Sequence, residues 1–301
     1  MTCSKSGGRK MKVLITGSTG MLGSDIKKLF SARYEVITPS REEMDIRKWD
    51  KVIEVIQKSS PDVVVNCAAF TDVDACETER QIAQKINVEG ARNLAQVCAR
   101  FDCKIVHISS DYVFDGKKPV PQPYFEDDEP NPLSFYGKTK ADSEKAVIDN
   151  IEDYIIIRTG WLYGEKRSNF VKWVIKKAVN NEKIPVVKDQ YGSPTWTYKV
   201  ALQIMVLLEK KMTGIFHVTS EGYCTRVEWA RFILEQLGLT AQIEPISIKD
   251  WNAPAKRPIN CLLENKELKL YRLSIMKNWK EDMKEFLDKF GKLLIKEAKN
   301  S

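Results

Sequence analysis

Apolar and polar positions along the chain follow two rhythms. KVLIT (residues 12–16), YEVIT (34–38), DVVVNCAA (62–69), KIVHIS (104–109) and YIIIRTG (154–160) are short, continuous, largely β-branched runs. Such runs predict strands buried on both faces. Between them apolar residues return every three or four positions. Leu22, Ile26, Leu29 and Phe30 predict a first helix; Trp49, Val52, Ile53 and Ile56 predict a second. Ile82, Ile86, Leu94 and Val97 predict a long third. Strands alternating with helices of this length imply βαβ units and a parallel sheet. The expected fold class is α/β, a Rossmann-like doubly wound parallel sheet.

After about residue 160 the rhythm weakens. Phe170 to Asn180, Ala201 to Lys210 and 226–237 (RVEWARFILEQL) predict helices, and GIFHVTS (214–220) a short strand. PVVKDQYGSPT (185–195) predicts a strand and then a loop. Trp279, Met283, Phe286, Phe290 and Leu293 mark a last helix with one apolar face and its lysines outward. The expectation is one domain over 11–165, with a return near 221–245. Residues 166–301 form mainly a smaller mixed α/β C-terminal lobe.

Composition narrows the class. The chain has 301 residues, 43% of them hydrophobic, too many for a disordered protein. Its longest apolar stretches, such as Ala201 to Leu208, fall well short of the roughly 20 residues that span a bilayer. The net charge of +7 raises the question of a polyanionic partner. Position answers it: Lys5, Arg9, Lys10 and Lys12 stand without an acid at one end, and a lysine-rich segment (266–301) closes the other. The body between them is nearly neutral, so no nucleic-acid groove is expected. The seven cysteines, Cys3 among them, form no CxxC pair, which argues against zinc. MTCSKSGGRK lacks the apolar stretch of a signal peptide, and Met11 is an alternative start. A reducing, cytoplasmic compartment is expected. His107 and His217 lie in strand-like runs and are read as core residues.

Chemistry enters with GSTGMLG, directly after the first strand and opening the first helix. Gly17, Gly20 and Gly23 permit a tight turn and close backbone approach to a pyrophosphate, and the helix N-terminus offers free N–H groups. Thr19, Met21 and Leu22 belong to the same loop. After the second strand, Ser40 and Arg41 occupy the place that reads the adenosine ribose; Arg there suits a 2′-phosphate. NADPH is therefore expected, with NADH the alternative. Asp45 and Ile46 follow, beside the expected adenine.

Tyr136 and Lys140 make Y-x-x-x-K, and i, i+4 residues share one helix face. An ammonium beside a phenol favours the phenolate, which predicts a lowered Tyr136 pKa and a usable proton donor. Ser110, ending KIVHISS, offers a hydroxyl to a carbonyl oxygen.

Together these residues resemble the extended short-chain dehydrogenase/reductase superfamily, and within it the dTDP-4-dehydrorhamnose reductase family. The resemblance rests on GSTGMLG (17–23), VNCAAFTDVDACE (65–77), NVEGARNLA (87–95), ISSDYVFDG (108–116), YGKTKADSE (136–144), RTGWLYG (158–164), NF (169–170), DQYGSPT (189–195) and PAKRP (254–258). It implies a cofactor-binding half over 11–165 and a sugar-nucleotide lobe over 166–301. Tyr136 would protonate the C4 oxygen of a 4-keto-6-deoxy sugar, Lys140 would hold the nicotinamide ribose, and Ser110 would orient the substrate oxygen, where the family often has Thr. Cys67, Ala68 and Ala69 would line the cofactor, and Asn87 would order a water behind Lys140. Asp111, Trp161, Asn169, Gln190 and Ser193 would line the substrate pocket, and Arg257 would meet the diphosphate.

Two departures stand out. Some members hold Mg²⁺ through glutamates at a dimer interface; Asp25 stands where one would align and the others are not found, which argues against a metal and leaves a homodimer open. Met21 replaces the usual Gln. Dehydratases of the superfamily need an Asp-Glu pair after the strand-end hydroxyl, whereas Asp111 is followed by Tyr112. Epimerases normally prefer NAD, against Arg41. A different class also stays open: a non-catalytic NADP-binding regulatory subunit, like the β subunit of methionine adenosyltransferase.

Overall fold

The computed structural model describes residues 9–300; Cys3 and Lys5 lie outside them. β1 (Lys12–Thr16) leads into α1 (Met21–Phe30), and β2 (Glu35–Ile37) into α2 (Trp49–Ser59). After β3 (Val63–Asn66) come α3 (Ala75–Thr78), α4 (Arg80–Gln84), a π-helical turn (Lys85–Glu89) and α5 (Gly90–Arg100). β4 (Lys104–Ile108), α6 (Phe135–Ile148) and β5 (Tyr154–Arg158) follow. The rest of the chain runs β6 (Leu162–Tyr163), α7 (Phe170–Val179), β7 (Ile184–Val187), β8 (Tyr191–Gly192), β9 (Thr195–Trp196) and α8 (Thr197–Glu209). It ends with β10 (Gly214–His217), β11 (Cys224–Thr225), α9 (Arg226–Leu237), β12 (Ile243–Ile246), α10 (Lys266–Leu270) and α11 (Trp279–Lys299).

Six strands form one sheet in the order β2-β1-β3-β4-β5-β10, with every neighbour parallel. Successive side chains of a strand face opposite sides, and both sides are covered. Val13 and Ile15 pack with Ile26 of α1 and Ile204 of α8. Leu14 packs with Ile56 of α2 and Leu94 of α5. That double cover explains why the strands read as unbroken apolar runs. The strand order reverses between β1 and β3, and a crevice opens outside their carboxyl ends. The Gly17 loop and Cys67–Ala69 sit there.

A second core gathers α7, α9 and α11 around Trp229, with Ile175 and Phe286 packed beside it. β12 pairs in parallel with β7 on its rim; no periodicity marked that strand. The chain returns to the main sheet through α8 and β10, upstream of the expected 221–245, while α9 packs in the second core. The expected long third helix runs without interruption from Arg80 to Arg100, and a π-helical turn inside it (Lys85–Glu89) turns Asn87 toward neighbouring segments. In α11 the apolar stripe drifts: Leu294 is buried and Leu293 faces solvent. Among the described residues no helix is long and apolar enough to cross a membrane.

Candidate active site

The crevice holds two adjoining cavities of about 690 and 670 Å³ that share Gly20, Cys67, Ala69 and Arg167. The first is walled by Gly17 to Gly20, by Ser40 and Arg41, by Asp45 and Ile46, and by Ala68. Gly17 has φ +63, and a Cβ there would lie 2.7 Å from the backbone of Cys67 and Ala68. A Cβ on Gly23 would lie 2.3 Å from the Gly17 carbonyl oxygen. No side chain caps α1, and no acid stands in its first turn. A cradle of bare backbone facing an uncapped helix N-terminus fits a dinucleotide pyrophosphate. Gly23→Ala should therefore weaken dinucleotide binding by about tenfold or more, given about 1–3 kcal/mol of overpacking. A fluorescence titration reads this, and an unchanged affinity would count against the cradle.

At the ribose end, Ser40 and Glu43 cap one another: the Ser40 N–H donates to Glu43 Oε2 (2.7 Å) and the Glu43 N–H to Ser40 Oγ (3.2 Å). This turn presents Arg41, which is exposed and forms no hydrogen bond or ion pair among the described residues. Asp45 is committed to Arg47, Nη2 to Oδ2 2.6 Å, which holds its carboxyl below the usual range.

Tyr136 and Lys140, one turn apart on α6, line the second cavity with Ser110 and Asp111. Ser134 caps α6 by accepting from the Gly137 N–H (3.1 Å), which seats Tyr136 in the first turn. Gly137 is close to the Tyr112 carbonyl, where a Cβ would come within 2.2 Å. Ser110 accepts from the Tyr112 N–H (3.1 Å) and donates to Asp111 Oδ1 (2.8 Å). The expected lowering of the Tyr136 pKa is not found. Burial pushes the phenol up, and a hydrogen bond with Ser110 only partly opposes it. Lys140 turns its ammonium to the Ile108 carbonyl (2.7 Å) instead. Burial pulls Lys140 down to about 8, against the nearby Glu144. A phenol held protonated is the form that can donate.

His107 sits beneath Lys140, 3.5 Å from its Nζ. Asn66 Oδ1 accepts from Thr16 Oγ1 (2.7 Å) and the Ala68 N–H (3.2 Å), so its amide faces His107 Nδ1 (3.1 Å). His107 Nε2–H then donates to Ser143 (2.9 Å), and Ser143 to the Lys140 carbonyl (2.7 Å). Burial and Lys140 keep this imidazole neutral. The expected core histidine thus also ties the ends of β1 and β3 to α6. His217 is buried beside Glu126, away from the cavity.

Several expected residues lie elsewhere. Asn87 accepts from the Phe70 N–H (2.7 Å) and donates to Thr139 (2.9 Å) and the Phe70 carbonyl. Its amide N–H groups are both taken by protein, while Oδ1 has one protein donor and keeps a second acceptor site. Asn169 caps α7 by accepting from the Lys172 N–H (3.2 Å) and donates to the Gly164 carbonyl (2.9 Å). Gln190 donates to the Pro258 carbonyl (3.0 Å), and Ser193 to the Gly222 carbonyl (2.6 Å). None of the four lines the catalytic cavity. Arg257 is held by Asp74 through both nitrogens, at 3.1 and 2.7 Å, on the rim of a separate surface groove. Asp25 accepts from Thr197, and among the described residues no three His, Cys, Asp or Glu side chains are placed to hold a metal.

Trp161 lines the cavity, at φ +49. Two arginines reach the cleft without any local sequence pattern. Arg167 bridges both cavities and donates to the Thr19 carbonyl (3.0 Å). Arg226 opens α9 and enters the cavity over Trp161. An arginine in an amphipathic helix carries no local signal; only the packing of α9 turns it inward.

A sequence profile of the RmlD substrate binding domain matches residues 11–292. The chain is 38% identical to the spore coat polysaccharide biosynthesis protein SpsK of Bacillus subtilis, over 92% of this chain and 96% of that one. A dTDP-4-dehydrorhamnose reductase from Clostridium acetobutylicum superposes with TM-score 0.90 at 39% identity, covering 93% of this chain and all of that one. The Bacillus anthracis dTDP-4-dehydrorhamnose reductase in complex with NADP does so with TM-score 0.90 at 34% identity, covering 93% and 99%. With a glycine cradle, a Ser-Tyr-Lys set on one cavity and this likeness over nearly the whole chain, the protein belongs to the dTDP-4-dehydrorhamnose reductase family of NAD(P)H-dependent oxidoreductases.

Proposed function

We propose that the protein reduces the 4-keto group of a dTDP-4-keto-6-deoxy sugar with NADPH, converting dTDP-4-dehydrorhamnose to dTDP-L-rhamnose. The observation that carries this reading is Ser110, Tyr136 and Lys140 facing one cavity that continues into the glycine cradle. A reduced nicotinamide bound along the cleft supplies hydride to C4. Tyr136 donates its phenolic proton to the C4 oxygen, and its raised pKa keeps that proton available until transfer. The charge of Lys140, one helical turn away, stabilises the phenolate as it forms. Ser110 orients the carbonyl oxygen. Residues 11–165 bind the cofactor in this reading, and 166–301 mainly the sugar nucleotide.

Arg41 supports NADPH over NADH, because an unpaired guanidinium beside the ribose suits a 2′-phosphate. Arg41→Ala should raise the KM for NADPH by about tenfold, the loss of one charge-assisted contact, and leave that for NADH unchanged. Equal effects on both cofactors would contradict the assignment. Tyr112 in place of a glutamate supports reduction over dehydration. The experiment for the whole reading is a panel of 4-keto sugar nucleotides assayed with NADPH and NADH, each product identified.

A further inference from the structure

The catalytic cavity contains a cation that the proposed chemistry does not use. Arg226 is the first residue of α9, and its backbone is fixed by a reciprocal cap: Thr225 accepts from the Glu228 N–H (3.1 Å), and Glu228 from the Thr225 N–H (2.7 Å). Its guanidinium carbon lies 3.8 Å from the centre of the Trp161 ring, 5.2 Å from Phe170 and 5.5 Å from Trp229. Its sole hydrogen bond among the described residues is a long one, Nε to Gln190 Oε1 at 3.4 Å. No carboxylate pairs with it there. Asp111 shares the cavity and feels its charge, yet forms no ion pair with it, and Asp111 Oδ2 is buried without a partner.

Arg226 is half-buried, and drawing even part of a cation out of water is costly unless an anion meets it. Aromatic faces offset part of that cost and hold the guanidinium plane in one orientation. Among the described residues the fork of N–H groups on Nη1 and Nη2 has no hydrogen-bond partner, in the geometry that takes phosphate oxygens bidentately. The cavity it enters also holds Tyr136. Arg257, the expected diphosphate partner, is in the opposite condition: both of its terminal nitrogens are bound to Asp74.

We infer that Arg226, and not Arg257, is the residue that binds the diphosphate of the sugar nucleotide. This rests on the reductase reading for the identity of the substrate, but the anion site itself does not depend on turnover. The Trp161 ring beneath Arg226 makes it a specificity-determining residue. It fixes how far the nucleotide diphosphate can enter, and so where C4 of the sugar lies relative to Tyr136.

The test compares wild type with Arg226→Gln, Arg226→Lys and Arg257→Gln. dTDP binding is measured by calorimetry, NADPH binding by fluorescence, and turnover with dTDP-4-keto-6-deoxy-L-mannose. The expected result for Arg226→Gln is a loss of about tenfold or more in dTDP affinity and a matching rise in substrate KM. NADPH affinity stays at the wild-type value, which also reports an intact fold. Arg226→Lys, which keeps the charge but not the fork, should lie between the two, and Arg257→Gln should bind dTDP nearly as wild type does. dTDP binding lost in Arg226→Gln without any turnover in wild type keeps the anion site and retires the reductase reading. Equal dTDP binding by Arg226→Gln and wild type, a loss confined to Arg257→Gln, or a fall in kcat alone overturns the assignment.

Discussion

Tyr136→Phe removes nearly all turnover and leaves NADPH binding as it was. The phenol is the only hydroxyl on α6 that lines the catalytic cavity, and its ring stays packed edge-on against Tyr112 at 5.9 Å in either form. The substitution therefore deletes one oxygen without disturbing the wall. A positioned general acid contributes about 10²- to 10⁴-fold, so kcat should fall by about that factor, or about 3–5 kcal/mol of barrier. The cradle at Gly17 to Gly23 lies across the crevice and keeps its shape. Steady-state NADPH oxidation beside a binding titration measures both halves. A variant within a few-fold of wild type in kcat would remove Tyr136 from the chemistry.

Glu144→Ala has the largest expected effect on stability. Glu144 on α6 accepts from Arg158 Nε (3.0 and 3.2 Å) and Nη2 (2.8 Å), and Ser109 donates to it as well. The two side chains are 2% and 4% exposed. Arg158 also reaches the Glu126 carbonyl (3.1 Å) and lies 5.1 Å over the Phe114 ring. Removing the acid leaves a buried guanidinium with no counter-charge, which costs about 3–5 kcal/mol. Domains of ordinary stability hold about 5–15 kcal/mol in total, so this one change takes a large share. Urea denaturation should show a lower midpoint with an unchanged slope. The double variant Glu144→Leu with Arg158→Met should recover much of the loss, because both charges are then gone. A single-variant loss under about 1 kcal/mol would mean that water reaches Arg158.

The sheet was legible because burial on both faces writes unbroken apolar runs, and because Gly17 to Gly23 mark where the first strand ends. The placing of Tyr136 and Lys140 on one cavity was legible because they are one turn apart, and a helix carries that spacing directly. What the sequence could not carry is direction and commitment. Lys140 was expected to lower Tyr136, yet its ammonium turns to the Ile108 carbonyl and burial dominates the phenol. Arg257 stands in a conspicuous motif and is held by Asp74, 183 residues away in sequence. Asn87 and Asn169 have residue types that suit ligands, and tertiary contacts claim their amides. Arg226 and Arg167 had no local pattern, because what brings them to the cleft is the packing of α9 and the left-handed turn at Arg167. Short strands such as β12 pair only through distant partners and leave no period to read.

Reduction of a 4-keto sugar nucleotide at the cleft of Tyr136 can be observed in a single assay. The most direct measurement mixes the purified protein with NADPH and dTDP-4-keto-6-deoxy-L-mannose and follows loss of the reduced-nicotinamide absorbance. One NADPH should be consumed per sugar reduced, with dTDP-L-rhamnose as product. NADPH that binds but is not consumed, with Tyr136→Phe indistinguishable from wild type, would contradict it.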